Sequence, residues 1–218
     1  MMPAALTTPW ARRRPVLALA VLTLLCLALG PARAMEPAAL LESLRGGGLV
    51  VYFRHAQTDW GQHDQVRAEG DWSSCDPGRM RQLSDTGRRT ARSVGAAMRQ
   101  LGVPVHAVFA SEYCRCVETA RLLDLAPVQT TRDILNARSA QYVGGRHALE
   151  RSARQRLATP PPAGSNTVLV AHGNVWMLVG ERRPPEAGAV VVRPLAQGRF
   201  EVLGTLSPRQ WIELAQGS

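Results

Sequence analysis

Four side chains, at three places far apart in the sequence, are of the types that could meet to do chemistry. Arg54 and His55 are adjacent, Arg115 lies inside S-E-Y-C-R-C-V-E-T-A from Ser111 to Ala120, and His172 opens H-G-N. A guanidinium fork meets two phosphoryl oxygens at once and stays charged at every relevant pH, so two forks can neutralise a phosphoryl dianion. A neutral imidazole beside them is a competent in-line nucleophile, giving a phosphohistidine that water then hydrolyses. A second imidazole can donate to the equatorial oxygens. A lone arginine or histidine at a strand end is more often a solvated loop residue, so the weight falls on the series.

Each member of that series follows a short apolar run. Leu49 to Phe53, Val105 to Ala110 and Thr167 to Ala171 are too short for helices and mostly rich in β-branched or aromatic residues, so they read as buried strands. Between the first two, Ala91, Val94, Met98 and Leu101 recur at helical spacing, and Gly102 supplies a stop. Val117, Ala120 and Leu123 mark a second helix, whose start near Val117 places Arg115 just ahead of N–H groups that favour an anion. A third helix is expected around Ala148 to Leu157. Val190 to Val192 and Phe200 to Leu206 read as later strands, and Ser207-Pro208 caps a terminal helix carrying Trp211. Strand alternating with helix implies an α/β sheet, in which ligands bind at the carboxyl ends of the strands. Arg54-His55, Arg115 and His172 would then converge there.

The N-terminus is of another kind. Arg12, Arg13 and Arg14 precede an apolar run from Val16 to Leu29, and Ala32-Arg33-Ala34 has the small-x-small pattern of a cleavage site. Residues 1–34 read as a cleavable secretory signal, leaving residues 35–218 as a single domain. The apolar run falls short of the roughly 20 residues that a membrane span needs. Bulky Leu25 before Cys26 argues against lipoprotein processing. A periplasmic or secreted protein is expected, without stable membrane insertion after cleavage.

Composition narrows the chemistry. The formal charge is +9, and the signal carries four arginines and no acids, so the remainder holds 9 − 4 = +5. That favours anionic partners. Aromatics at 5% and scattered arginines point away from nucleic acid and towards a phosphorylated small molecule or glycolipid. The sequence contains no lysine, which excludes a Walker-A lysine and a pyridoxal Schiff base. No cofactor is implied. His63-Asp64 and Cys114-x-Cys116 make no four-ligand metal set. Cysteine-phosphatase chemistry fails too, because the residues six beyond Cys114 and Cys116 are Ala120 and Leu122, not arginine.

Cys75, Cys114 and Cys116 remain after cleavage, in a compartment that oxidises thiols. One disulfide is expected. Cys75 with Cys114 would tie the polar loop before Leu83 to the turn that aims Arg115; Cys75 with Cys116 is the alternative, and three buried thiols the bland one. Cys114 with Cys116 would strain a small ring.

R-H-A-Q-T at Arg54 to Thr58 resembles the R-H-G-x-T of the histidine phosphatase superfamily, the phosphoglycerate-mutase-like fold. L-S-D-T-G at Leu83 to Gly87 resembles its L-T-x-x-G, S-E-Y-C-R-C-V-E-T-A its S-x-x-x-R-x-x-x-T-A, and A-H-G-N at Ala171 to Asn174 supplies its second histidine. The resemblance implies a three-layer α/β fold with a mostly parallel central sheet and helices on both faces. It implies a phosphoric monoester hydrolase with His55 as nucleophile, Arg54, Thr58 and Arg115 holding the phosphoryl group, and His172 completing the pocket. The shortened middle and the signal resemble a subgroup of extracytoplasmic phosphatases acting on phosphorylated heptose of the lipopolysaccharide core.

There are departures. Ala56 stands where most relatives have glycine, Asn136 where the mutase branch has a glutamate, and Gly173 where the acid phosphatase branch has aspartate. The leaving-group acid is therefore open between Asp59 and Glu186. The missing acid also supports a rival reading, a non-catalytic phosphoglycan-binding module on a phosphatase fold.

Overall fold

The structure, a computed structural model, describes residues 34–217. The expected signal up to Arg33, with Cys26, lies outside the described residues. The apolar runs form strands as their composition requires: β1 Val50–Arg54, β2 Val105–Ser111, β4 Asn166–Ala171, β5 Ala189–Leu195 and β6 Arg199–Leu206. A short β3, Val128–Thr131, joins them at one edge. The helices are α1 Pro37–Gly46, α2 Asp85–Gln100, α3 Cys114–Leu123, α4 Arg146–Ala158, α5 Gly173–Val179 and α6 Pro208–Gln216.

The sheet runs in the order β3-β2-β4-β1-β5-β6. β1 to β4 are parallel; β5 is antiparallel to β1, and β6 to β5. β4 therefore lies between β1 and β2, with Arg54 opposite Ala171 and Ala110 opposite Val170. That register puts the chain after β1, β2 and β4 side by side.

Successive strand residues point to opposite faces, and β1 shows what covers each. Tyr52 meets Trp176 of α5 with ring centroids 5.1 Å apart, whereas Phe53 stacks on Trp211 of α6 at 6.3 Å. α4 packs on α5 along the first face, and α2 packs on α3 and α6 along the second. The fold is thus an α/β sheet, mostly parallel, flanked by helices on both faces. α6 opens with a reciprocal capping box between Ser207 and Gln210, as its Ser-Pro start predicts.

One boundary differs from expectation in a way that matters. α3 begins at Cys114, not near Val117, so Arg115 sits within the first helical turn. Tyr113 occupies the N-cap position without a side-chain cap, and the polar Cys114-Arg115-Cys116 stretch hides the turn from an apolar periodicity.

Cys75 is bonded to Cys114, 39 residues away, and Cys116 is free and buried. The bridge fastens the loop around Cys75 to the residue that opens α3. Closing a loop of that length constrains the unfolded chain. Cys75→Ser is therefore expected to lower the free energy of unfolding by about 2–4 kcal/mol, read as a lower urea midpoint under non-reducing conditions, with reductant producing the same shift in wild type and none in the variant.

Candidate active site

The first cluster forms where β1 ends. The His55 backbone N–H donates to the Ala171 carbonyl at 2.9 Å, holding the end of β1 against that of β4. Its ring Nδ1 lies 2.9 Å from the Ala56 carbonyl. A carbonyl only accepts, so Nδ1 carries the proton and the lone pair is on Nε2. Beside it, Arg54 pairs with Glu186 at 3.0 Å and donates to the Pro184 carbonyl at 3.4 Å.

Motif residues beyond the charged ones turn out to be braces. The Thr119 hydroxyl donates to the Arg115 carbonyl at 2.7 Å and accepts from the Ala56 N–H at 3.1 Å, tying α3 to the loop after β1. Ser84 caps α2 by accepting from the Gly87 N–H at 3.1 Å. A Cβ on Gly87 would lie 2.0 Å from the Gln57 carbonyl oxygen, so only glycine lets the helix approach that loop. The Ala56 methyl fills a small apolar cluster with Leu83, Ala91 and Ala187.

Arg115 is almost completely buried, and Asp64 grips it through two bonds, Nη1 at 2.9 Å and Nη2 at 3.0 Å. This is an end-on fork. The side-on edge, Nε with the other Nη2 proton, is left over, and Nε is buried without a partner. Asp64 thus fixes the guanidinium while leaving an edge that can meet two phosphoryl oxygens. The guanidinium also lies 4.5 Å from the centre of the Tyr113 ring.

The tautomer of His172 follows from Asn136. The Asn136 Oδ1 accepts from the Arg138 N–H at 3.0 Å and from Asn174 Nδ2 at 2.8 Å. Its amide nitrogen therefore faces His172 Nδ1, at 3.0 Å, and donates to it. The His172 proton is consequently on Nε2, which donates to Ser111 Oγ at 2.9 Å. The N–H expected to reach phosphoryl oxygens is thus engaged with Ser111, and a phosphoryl oxygen would have to share or replace that contact.

Burial, then the charge of Arg115, pushes the proton affinity of His55 well below the usual imidazole range; His172 is depressed by the same two causes and by His55. Both imidazoles are neutral at neutral pH. Glu186 is raised by burial despite Arg54, and Arg54 is lowered by burial despite Glu186. Desolvation opposes charge on both members of that pair.

Arg54, His55, Arg115 and His172 all line one cleft of about 560 Å³, with Arg81, Arg183 and Asn136 around them. Thr58 and Asp59 line a different, larger cleft of about 1310 Å³ that shares only Trp60 with the first. The Thr58 hydroxyl is buried without a partner, and Asp59 accepts from the Gly61 N–H and from Gln62 in a turn. Glu186 sits against Arg54 and does not line the cleft. Asp64, Ser111 and Arg81 join the site without a role expected from sequence, where Asp64 reads only as a metal ligand beside His63, and Asn136, noted there as a departure at the place of an acid, proves to hold His172. Among the described residues no group of three or more histidines, cysteines or acids could hold a metal ion.

Two expectations follow. Asp64→Ala leaves Arg115 buried without its counter-charge and should cost about 3–5 kcal/mol in unfolding free energy, with loss of any phosphate binding seen by calorimetry. The depressed imidazoles set the pH dependence. The unfolded chain protonates its histidines near 6.5 but the folded chain only well below, so as the pH falls past about 6.5 the unfolded state binds more protons and stability declines. The acid limb of kcat/KM, corrected for the substrate's own ionisation near about 6, should lie below that of an exposed histidine. A limb at or above about 6.5 would contradict a neutral His55.

The sequence profile of the histidine phosphatase superfamily (branch 1) matches residues 50–159. No curated protein matches the sequence significantly. Among solved structures, a mycobacterial glucosyl-3-phosphoglycerate phosphatase is 17% identical with a TM-score of 0.50, the alignment covering 72% of this chain and 97% of that one. A phosphoserine phosphatase from Entamoeba histolytica, in complex with 3-phosphoglyceric acid, is 12% identical with a TM-score of 0.50, covering 75% of this chain and 98% of that one. At such identities the likeness is one of fold. The profile match spans half the sequence, from the strand that carries Arg54 to the end of the helix that Arg146 opens, and the chain belongs to the histidine phosphatase superfamily.

Proposed function

We propose that this chain is an extracytoplasmic phosphomonoesterase working through a phosphohistidine intermediate, with a phosphorylated sugar or glycolipid as substrate. The observation that carries the reading is the state of His55. Its Nδ1 proton is held by the Ala56 carbonyl, its Nε2 lone pair is unprotonated, and it lines the same cleft as Arg54 and Arg115. A group that only bound phosphate would gain more from a cationic imidazole than from a neutral one.

In the first step the His55 Nε2 lone pair attacks phosphorus, the P–N bond forms, and the ester P–O bond breaks with its electrons going to the leaving oxygen. Arg54 and the side-on edge of Arg115 neutralise the oxygens, and His172 Nε2–H is the nearby neutral donor. The leaving oxygen takes a proton from water in the cleft or from an acid. Water then attacks phosphorus, the P–N bond breaks, and inorganic phosphate and neutral His55 are restored. Of the two acids expected from sequence, Glu186 is the one next to the cluster, held on Arg54 with its proton affinity raised.

The secretory signal at residues 1–34 and the single domain at 35–218 are part of the same proposal. The Cys75–Cys114 disulfide supports an oxidising compartment. No helix among the described residues is long and apolar enough to cross a membrane.

Rapid quench during turnover should trap phosphate on His55, stable in alkali and labile in acid, and His55→Ala should lose both label and turnover. Arg115→Ala should cost roughly 10² to 10³ in rate, and Arg115→Lys should restore little because a lysine cannot present two parallel donors. A non-catalytic phosphoglycan binder would instead bind phosphate and release none from an aryl phosphate. Glu186→Gln separates its two roles. If it is the proton donor, alkyl phosphates lose at least about tenfold more than aryl phosphates; an equal loss on both means that it only orients Arg54.

A further inference from the structure

Among the described residues six arginines line the cleft that holds His55: Arg54, Arg81, Arg115, Arg138, Arg146 and Arg183. Two of them are matched by carboxylates, Arg54 by Glu186 and Arg115 by Asp64. Among the described residues the other four side chains form no ion pair and donate no hydrogen bond. The Arg81 Nε is buried without a partner.

These four come from separate segments. Arg81 precedes α2, Arg138 lies in the 3-10 turn after β3, Arg146 opens α4, and Arg183 lies between α5 and β5. Arg138, Arg146 and Arg183 are exposed and mark the mouth of the cleft, half-buried Arg54 and buried Arg115 form an inner tier, and half-buried Arg81 belongs to the mouth through its contact with exposed Trp60. Arg183 is seated deliberately close to the histidine turn: a Cβ on Gly173 would lie 2.7 Å from both its Cγ and its Cδ. The Arg81 guanidinium lies 4.5 Å over the Trp60 ring, and Trp60 is 63% exposed at the same mouth.

One transferred phosphoryl group does not use this many cations. Its oxygens are met by the inner tier, and like charges brought together at the mouth repel one another unless an anion joins them. We infer that Arg138, Arg146 and Arg183, with Arg81 over Trp60, form a second anion subsite that selects phosphomonoesters whose alcohol portion carries a further phosphate or carboxylate. This rests on the reading that the inner tier takes the phosphoryl group. The second anion remains on the alcohol product, so the subsite acts on binding and orientation and not on bond breaking. The same chemistry is offered by a free sugar bisphosphate or by the headgroup of a bisphosphorylated glycolipid.

The test compares glucose 1,6-bisphosphate with glucose 6-phosphate, and a bisphosphorylated with a monophosphorylated glycolipid in detergent micelles. For wild type, kcat/KM should favour the doubly anionic member of a pair by at least about tenfold, and the preference should shrink as salt is raised. In the Arg138→Ala/Arg146→Ala/Arg183→Ala variant the ratio should fall towards one; all three residues are exposed, so the core is untouched. A preference confined to the lipid pair supports the subsite and assigns it to a glycolipid headgroup; one confined to the sugar pair assigns it to a soluble substrate. Calorimetric binding of the glucose pair to His55→Ala gives the same comparison without turnover. Equal affinities there, or a ratio unchanged in the triple variant, would overturn the subsite even if wild type hydrolyses both esters. Preferential binding without turnover by wild type would instead overturn the hydrolase reading and leave the subsite standing.

Discussion

A guanidinium that is almost wholly removed from water must meet a carboxylate, and the fork between Asp64 and Arg115 is the contact on which the rest of the site depends. Asp64 comes from the loop after β1 and Arg115 from the first turn of α3, so the pair joins two segments that the sheet alone would not hold together. Thr119 repeats the connection one turn further along the helix, and the disulfide at Cys114 makes it covalent at the other end. Because Asp64 takes the end-on fork, the guanidinium keeps its charge and its orientation without giving up its side-on edge.

That fixed cation also determines what the imidazoles are. Burial and the charge of Arg115 both disfavour protonation of His55 and His172, so each is a neutral ring with one defined N–H. The Ala56 carbonyl selects the Nδ1–H form of His55, and Asn136 selects the Nε2–H form of His172. Asn136 stands where a glutamate would be placed in the mutase branch. An amide there orients the second histidine, whereas a carboxylate at that place would draw a second proton onto it. The amide at this position holds His172 in one tautomer.

Much of this was legible in the sequence, for reasons that differ by element. β1, β2 and β4 are short apolar runs ending in charged or polar residues, and the position of Arg54, His55 and His172 follows from those endings. The helical face of α2 is equally plain, as Ala91, Val94 and Met98 are buried at the expected spacing. β3 escaped because V-Q-T-T is an edge strand whose middle residues are exposed, and a half-exposed strand has no apolar run. α5 escaped because seven residues are too few to show a helical period. Asp64 escaped for another reason: it lies in an irregular loop 51 residues from Arg115, and only the tertiary contact reveals a function that spacing does not encode. Thr58 and Asp59 sit only a few residues from His55, yet they face the other cleft; proximity in sequence is a poor guide once the chain leaves a strand.

Cys116 lies buried between the Ala171 carbonyl and His172 Nε2, 3.7 and 3.5 Å from its sulfur, and burial pushes its thiol up to about 12. Three cysteines within reach of an oxidant allow three intramolecular pairings and an unpaired sulfur that could link two chains. Docking α3 on β4 before oxidation removes Cys116 from that competition, because a protonated, enclosed thiol neither attacks nor is attacked. In the folded chain the enclosure of Cys116 thus leaves Cys75 and Cys114 as the pair open to an oxidant, with no third reactive sulfur among the described residues to link one chain to another.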